Sequence, residues 1–281
     1  MALQIVTDST CDLPPAMLRE LGVTVVPCNV HFGDEVLRDG VDIKPDEFFK
    51  RLGESSENPR TSQPSIGAFV DFSRPLLERG DAIVSVHVSA KLSGTCSSAL
   101  QAKAELKSER IEVVDSVQAS LGLGHQVREA VRIARAGGTA QDVIAGLNAQ
   151  RANLKTYVTV NTLKYLIRGG RAGRLQGFLA GMLDVKPIIA VIDGETHPVD
   201  RVRTRKRALA RFTELALESP GTIRALGIVY SDNPAEAEAL AQSITSRFPR
   251  EQIFLAQFSS VMGTHLGPGA MGMSFWTGPA A

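Results

Sequence analysis

Through the first half of the chain, short apolar runs of strand length alternate with longer stretches whose apolar residues recur every three or four positions. On this pattern residues 3–7, 82–88 and 111–114 are strands, and the β-rich stretch 23–32 is another, followed by a Gly33-Asp34 turn. Pro14 opens a short helix to Leu21, and helical spacing predicts further helices over 44–52, 65–78, 93–106 and 119–136, with a polar loop over 53–60. Gly137-Gly138 ends the last of these helices, and Thr139 is placed to cap another that runs to about Asn153. Strands and helices in alternation imply parallel strands joined by crossovers, a doubly wound sheet.

Beyond residue 152 the pattern changes. Strands are predicted over 157–160, 187–192 and 198–202, the last two joined through Asp193-Gly194, a hairpin signal. Helices over 206–217 and 235–248 and strands over 225–230, 253–257 and 272–276 follow. The expected fold class is therefore α/β in two domains: a parallel, doubly wound N-terminal lobe over residues 1–152 and a mixed α+β C-terminal lobe over 153–281. A chain of 281 residues exceeds the usual size of one core, which points the same way.

Composition narrows the classes. Hydrophobic residues make up 43% and charged residues 22%, the balance of a globular protein. Neither a basic, apolar leader nor an apolar run of membrane-spanning length is present, so the expected location is the cytoplasm, without stable membrane insertion. With 31 basic and 30 acidic residues the net charge is +1, which argues against a nucleic-acid partner. Cys11, Cys28 and Cys96 form no C-x-x-C pair and read as reduced structural thiols, and no metal site or cofactor is expected.

Three segments carry candidate chemistry. Ser89-Ala90-Lys91-Leu92-Ser93-Gly94-Thr95 leaves the predicted strand 82–88 and opens a helix, so Ser93 is expected at or near an N-cap, where free amides and the helix dipole favour an anion. Thr61-Ser62-Gln63-Pro64-Ser65 is a second hydroxyl-rich stretch before a helix, a pattern that serves capping as readily as binding. Gly263-Thr264-His265-Leu266-Gly267-Pro268-Gly269 reads as a glycine-rich loop between two strands, with one of the five histidines.

Together with Ile5-Val6-Thr7-Asp8-Ser9-Thr10-Cys11-Asp12-Leu13 and Arg168-Gly169-Gly170-Arg171, these segments, in order along the whole chain, resemble the DegV family. That family includes the FakB fatty-acid-binding subunit of bacterial fatty acid kinase. The resemblance implies a binding protein rather than an enzyme, with a long-chain fatty acid in a tunnel between the lobes. By position it implies Thr61 and Ser93 as hydrogen-bond partners of the carboxylate, completed by His265, with Ser62 and Gly94 adjacent. It also implies a separate ATP-dependent kinase subunit that converts the carboxylate to an acyl phosphate. Cys11 stands where serine is common, and Cys96 where a larger residue is frequent; neither removes an implied ligand.

Two other readings stand beside this one. Strand, loop, Ser93 and helix outline a nucleophile elbow, which would make the protein a serine hydrolase acting on a lipid ester; against it, G-x-S-x-G is absent and His265 has no assignable aspartate. Asp8 and Asp12 at one strand end read as capping, and no Walker sequence is present for ATP. Five basic residues lie in Arg201-Val202-Arg203-Thr204-Arg205-Lys206-Arg207, and Arg168, Arg171 and Arg174 form a second group. These are a solvated face, a docking surface for the kinase or, against the near-neutral net charge and the absence of a motif, a nucleic-acid or regulatory contact.

Overall fold

A computed structural model describes residues 2–55, 58–178 and 185–278. Two residues of the predicted 53–60 loop lie outside them. The first lobe runs β1 (Leu3–Asp8), α1 (Pro15–Leu21), β2 (Thr24–Val26), β3 (Asn29–Phe32), β4 (Glu35–Arg38), α2 (Pro45–Glu54), β5 (Arg60–Ser62), α3 (Ile66–Glu78), β6 (Ala82–His87), α4 (Thr95–Leu106), β7 (Ile111–Asp115), α5 (Leu121–Arg135) and α6 (Ala140–Arg151). The second runs β8 (Leu154–Thr159), α7 (Lys164–Arg168), β9 (Lys186–Ile192), β10 (Glu195–Val202), α8 (Arg205–Glu218), β11 (Thr222–Tyr230), α9 (Pro234–Ser243), β12 (Ile253–Gln257), α10 (Ser260–Leu266) and β13 (Met271–Gly278).

The expected parallel sheet is present, in the order β2-β1-β6-β7 with every pairing parallel. Its near-continuous apolar strands suit burial on both faces: α3 and α4 pack against Val6, Ile83 and Ile111 on one side, and α5 and α6 against Ile5, Val84 and Val86 on the other. Thr139 caps α6 as predicted, accepting from the Asp142 amide while Asp142 accepts from the Thr139 amide. The second lobe has the expected mixed sheet, in the order β10-β9-β8-β13-β11-β12, with only β11 and β12 parallel. Asp193-Gly194 makes the predicted turn between antiparallel β9 and β10, with both residues at positive φ.

Several expectations are corrected. The stretch 23–32 is two strands rather than one, because Pro27 interrupts it and has no amide to continue a ladder. Its second part, β3, pairs with β4 and β5 in a separate three-stranded antiparallel sheet that the apolar pattern did not reveal. Thr61 is therefore in a strand, paired with Val30, and not in a loop; the helix after it begins at Ile66, capped by Ser65. His265 is in helix α10, not in a loop between strands, and the glycines at positive φ, Gly267 and Gly269, follow the helix. The helix expected over 235–248 ends at Ser243.

Helix α5 joins the lobes. It lies against β1 and β6 on one side and β8, β11 and β13 on the other, and its buried Leu121, Leu123 and Val127 share one core with Ile189, Val229 and Phe258 of the second sheet. Helix α10 makes the second join: it belongs to the second lobe in sequence but packs on α2, β3 and β5 of the first. Two buried carboxylates fix its start. Asp12 Oδ1 accepts the Ser259 amide at 2.9 Å, and Asp39 Oδ1 accepts the Ser260 amide at 2.9 Å. These satisfy N–H groups that a helix leaves without internal partners.

Candidate functional site

Where the start of α5 faces the second sheet, the lobes enclose an apolar cavity of about 950 Å³, open space at its mouth included. It exists because the sheet face opposite α5 carries small residues: Gly272 and Ser274 stand between Val158 and Thr156 of β8 and Val229 and Gly227 of β11. Leu92, Leu121, Leu166, Val229 and Phe258 are among its apolar walls.

Thr61, Ser93 and His265, the three residues singled out in the sequence, all lie on this wall, with Ser62 and Gln63 beside them. Strand β5 presents Thr61 and α10 presents His265, and Thr61 Oγ1 meets His265 Nε2 at 2.8 Å across 204 positions of sequence. Ser93 comes from the turn after β6. Its Oγ accepts the Thr95 amide at 3.3 Å and lies 2.8 Å from Thr95 Oγ1, while Gly94 is the cap residue of α4 and makes no side-chain cap. Ser93 thus tightens the turn before the helix and is not the N-cap itself.

The electrostatics of His265 follow from its surroundings. Burial pushes its imidazole down to about 4, and the Arg171 guanidinium nearby acts in the same direction, so the ring is neutral at pH 7. With Nε2 on Thr61, the other ring nitrogen, Nδ1, is buried without a partner among the described residues. It faces Gly169, where a Cβ would stand 2.2 Å from it, so glycine is required for this approach.

Arg171 is the residue the sequence reading left out of the site. It lines the cavity, and its Nε donates to the Leu92 carbonyl at 3.0 Å, tying the second lobe to the turn that carries Ser93. The signal was the Arg168-Gly169-Gly170-Arg171 segment, which carried the resemblance and a basic group above but was given no part in the site. A second, polar cavity adjoins the first through Thr61, Arg171 and His265 and adds Arg60 and Arg168 to its wall. Three arginines thus line the space that adjoins Thr61 and His265.

The serine hydrolase outline is not completed at Ser93, whose hydroxyl partner is Thr95. A serine, a histidine and an aspartate do stand in line elsewhere: Ser85 Oγ is 2.6 Å from His87 Nε2, and His87 Nδ1 is 3.0 Å from Asp8 Oδ2. Asp8 and His87 are fully buried and Ser85 is 4% exposed, on adjacent strands of the parallel sheet, so no substrate reaches them. Asp8 also accepts the Thr10 and Val88 amides and the Thr10 hydroxyl. Burial raises its carboxyl, but the bonds from His87, Thr10 and Val88 outweigh this and hold it below the ordinary value. Cys11, Cys28 and Cys96 are free, buried thiols. Among the described residues no three His, Cys, Asp or Glu side chains stand close enough to hold a metal ion, and no helix is long and apolar enough to cross a membrane.

An apolar cavity between two α/β lobes, with hydroxyls and an imidazole on its wall, is an architecture suited to an amphiphile. The chain belongs to the DegV family: the family model described as "Uncharacterised protein, DegV family" matches residues 2–278. A DegV domain-containing protein of Halalkalibacterium halodurans is 36% identical over 280 residues, 98% of each chain. Among solved structures, one titled as showing fatty acid binding by a DegV family protein from Thermus thermophilus superposes with a TM-score of 0.90 at 35% identity, covering 99% of this chain and 100% of the other. Another, titled as DegV, a fatty acid binding protein from Bacillus subtilis, superposes with a TM-score of 0.89 at 30% identity, again over 99% and 100%.

Proposed function

We propose that this protein binds a long-chain fatty acid in the interlobe cavity, with its carboxylate held by Thr61 and Ser93 and the network completed by His265. The observation that carries the reading is the Thr61–His265 bond joining the two lobes on the wall of an apolar cavity that Ser93 also lines. The related proteins from Thermus thermophilus and Bacillus subtilis, both titled for fatty acid binding, support it. A carboxylate withdrawn from water requires several donors, or it is protonated instead. The threonine and serine hydroxyls and the nearby Arg171 guanidinium supply donors and positive charge. The acyl chain contributes most of the affinity: at ~0.8 kcal/mol per buried methylene, on the order of 10 kcal/mol is gained before ordering costs.

The protein acts as a carrier that presents the carboxylate to a separate kinase for acyl-phosphate formation, or delivers it for lipid transport. Two features support an anionic transfer. One is the adjoining polar cavity lined by Arg60, Arg168 and Arg171. The other is the basic segment 201–207, in which Arg205 pairs with Glu236 and Arg207 with Glu214 while Arg203 and Lys206 stand exposed for a partner.

Native mass spectrometry of the purified protein, followed by denaturing extraction, tests the reading. A stoichiometric fatty acid, lost or much reduced when Thr61 and Ser93 are replaced by alanine, is the expected result. Protein that carries no lipid and takes up none when it is added would refute it.

A further inference from the structure

The wall of the large cavity carries a polar pair whose hydrogen bonding is one-sided. Thr156 of β8 and Ser274 of β13 are direct partners in the sheet register, both line the cavity, and their hydroxyl oxygens are 3.0 Å apart. Ser274 Oγ also donates to the Lys155 carbonyl at 3.0 Å. A hydroxyl has one proton and two lone pairs. The Ser274 proton is committed to Lys155, so Thr156 supplies the proton of the shared bond. Both hydroxyls then offer only acceptor capacity to anything else in the cavity.

A neighbouring group repeats the pattern. Gln118 is 6% exposed, and its Oε1 is buried with no hydrogen-bond partner among the described residues. It lies close to Thr156: a Cβ on Gly122 would stand 2.4 Å from Thr156 Oγ1 and 2.5 Å from Gln118 Oε1. Glycine at position 122 therefore keeps space beside a group of buried acceptors. A buried acceptor left unpaired is costly, and the missing element here is a donor. The hydroxyl pair stands on the second sheet, on β8 and β13, whereas Thr61, Ser93 and His265 are presented by β5, the turn after β6 and α10.

We propose that the cavity takes an acyl chain bearing a hydroxyl group on a mid-chain carbon, the hydroxyl donating to Thr156 Oγ1. The proposal rests on the fatty-acid reading and makes it more specific. A ketone at the same carbon brings only an acceptor to a wall of acceptors and is disfavoured. A carboxylate is disfavoured there for the same reason, which gives the ligand one direction of entry.

The test is direct binding of stearic acid, a series of hydroxystearic acids substituted at successive mid-chain carbons, and the matching ketostearic acids to the delipidated full-length protein. The expected result is one hydroxystearic acid that binds at least as tightly as stearic acid, its keto counterpart being weaker by roughly tenfold or more. Thr156→Val should reverse the order, placing that hydroxystearic acid below stearic acid, while Thr156→Ser, which restores the hydroxyl, should keep the original order. The comparison of hydroxy with keto ligands on the unaltered protein needs no variant to fold. If every hydroxystearic acid binds well below stearic acid, or if Thr156→Val leaves the order intact, the polar group holds water and the proposal is overturned. Failure of stearic acid itself to bind would instead remove the fatty-acid reading, and this proposal with it.

Discussion

His87 and His265 are both withdrawn from solvent, yet they are built for different ends. His87 is fully buried in the parallel sheet, and its two nitrogens meet Asp8 and Ser85, both in the same sheet. His265 meets Thr61 from the opposite lobe and leaves Nδ1 unpartnered near two cavities. A fully satisfied polar network rigidifies what surrounds it, whereas a partly satisfied one has capacity for a ligand. The second situation costs stability, which a ligand-free site at a lobe interface can bear because the core around α5 supports it.

The strongest way to break this contrast is at Asp8. Asp8→Ala removes four hydrogen bonds and leaves His87 without its buried partner, and the expected loss is about 3–5 kcal/mol of folding stability by denaturant titration. A loss below about 1 kcal/mol would show that the network is not a stability element. Thr61→Val should behave in the opposite way. Affinity for stearic acid should fall about ten- to a hundredfold, as expected for a lost bond to a charged group, with folding stability changed by no more than about 1 kcal/mol.

Titration sharpens the comparison further. The folded His265 is depressed to about 4 from an ordinary 6.5, so the stability it contributes is present above pH 6.5 and is lost as pH falls toward 4. His265→Asn should flatten the stability profile over that interval, measured by chemical denaturation at stepped pH. The carboxylates that hold the start of α10 have the other sign. Burial raises Asp12 to about 7 and Asp39 to about 6, so their contribution is complete below 3.8 and is lost as pH rises through those values. Asp39→Asn should reduce that decline; an unchanged profile would show that the helix start is held otherwise. The smallest effect on folding is expected at the exposed basic segment. Arg203→Glu should change stability by less than about 0.5 kcal/mol while weakening turnover by a partner kinase, and normal turnover would exclude docking there.

Legibility in the sequence followed locality. The individual strands and helices of the parallel lobe, the β9–β10 hairpin and the Thr139 cap were readable because each is marked by residues a few positions apart. The small β4-β3-β5 sheet was not: its strands are short, and β3 pairs with β5 across a helix, so neither strand has a periodicity long enough to stand out. Thr61, Ser93 and His265 were readable as candidates from their segments, and they do share one cavity wall. Their geometry was misread. His265 was placed in a loop because of its glycines, but Ser259 caps a helix there and the glycines at positive φ end it.

The order of strands and helices, the two-lobe division into α/β and mixed sheets and the residue types able to meet an anion were determined by the sequence itself, through periodicity, capping and turn chemistry. Only the tertiary structure decided that Thr61 and His265 touch, that Arg171 reaches the turn bearing Ser93, and that Asp12 and Asp39 hold the helix carrying His265. Each of these contacts joins residues that are far apart along the chain. No local pattern records such a pair, because its cost and its stabilisation arise only when the two lobes close on one another and exclude water.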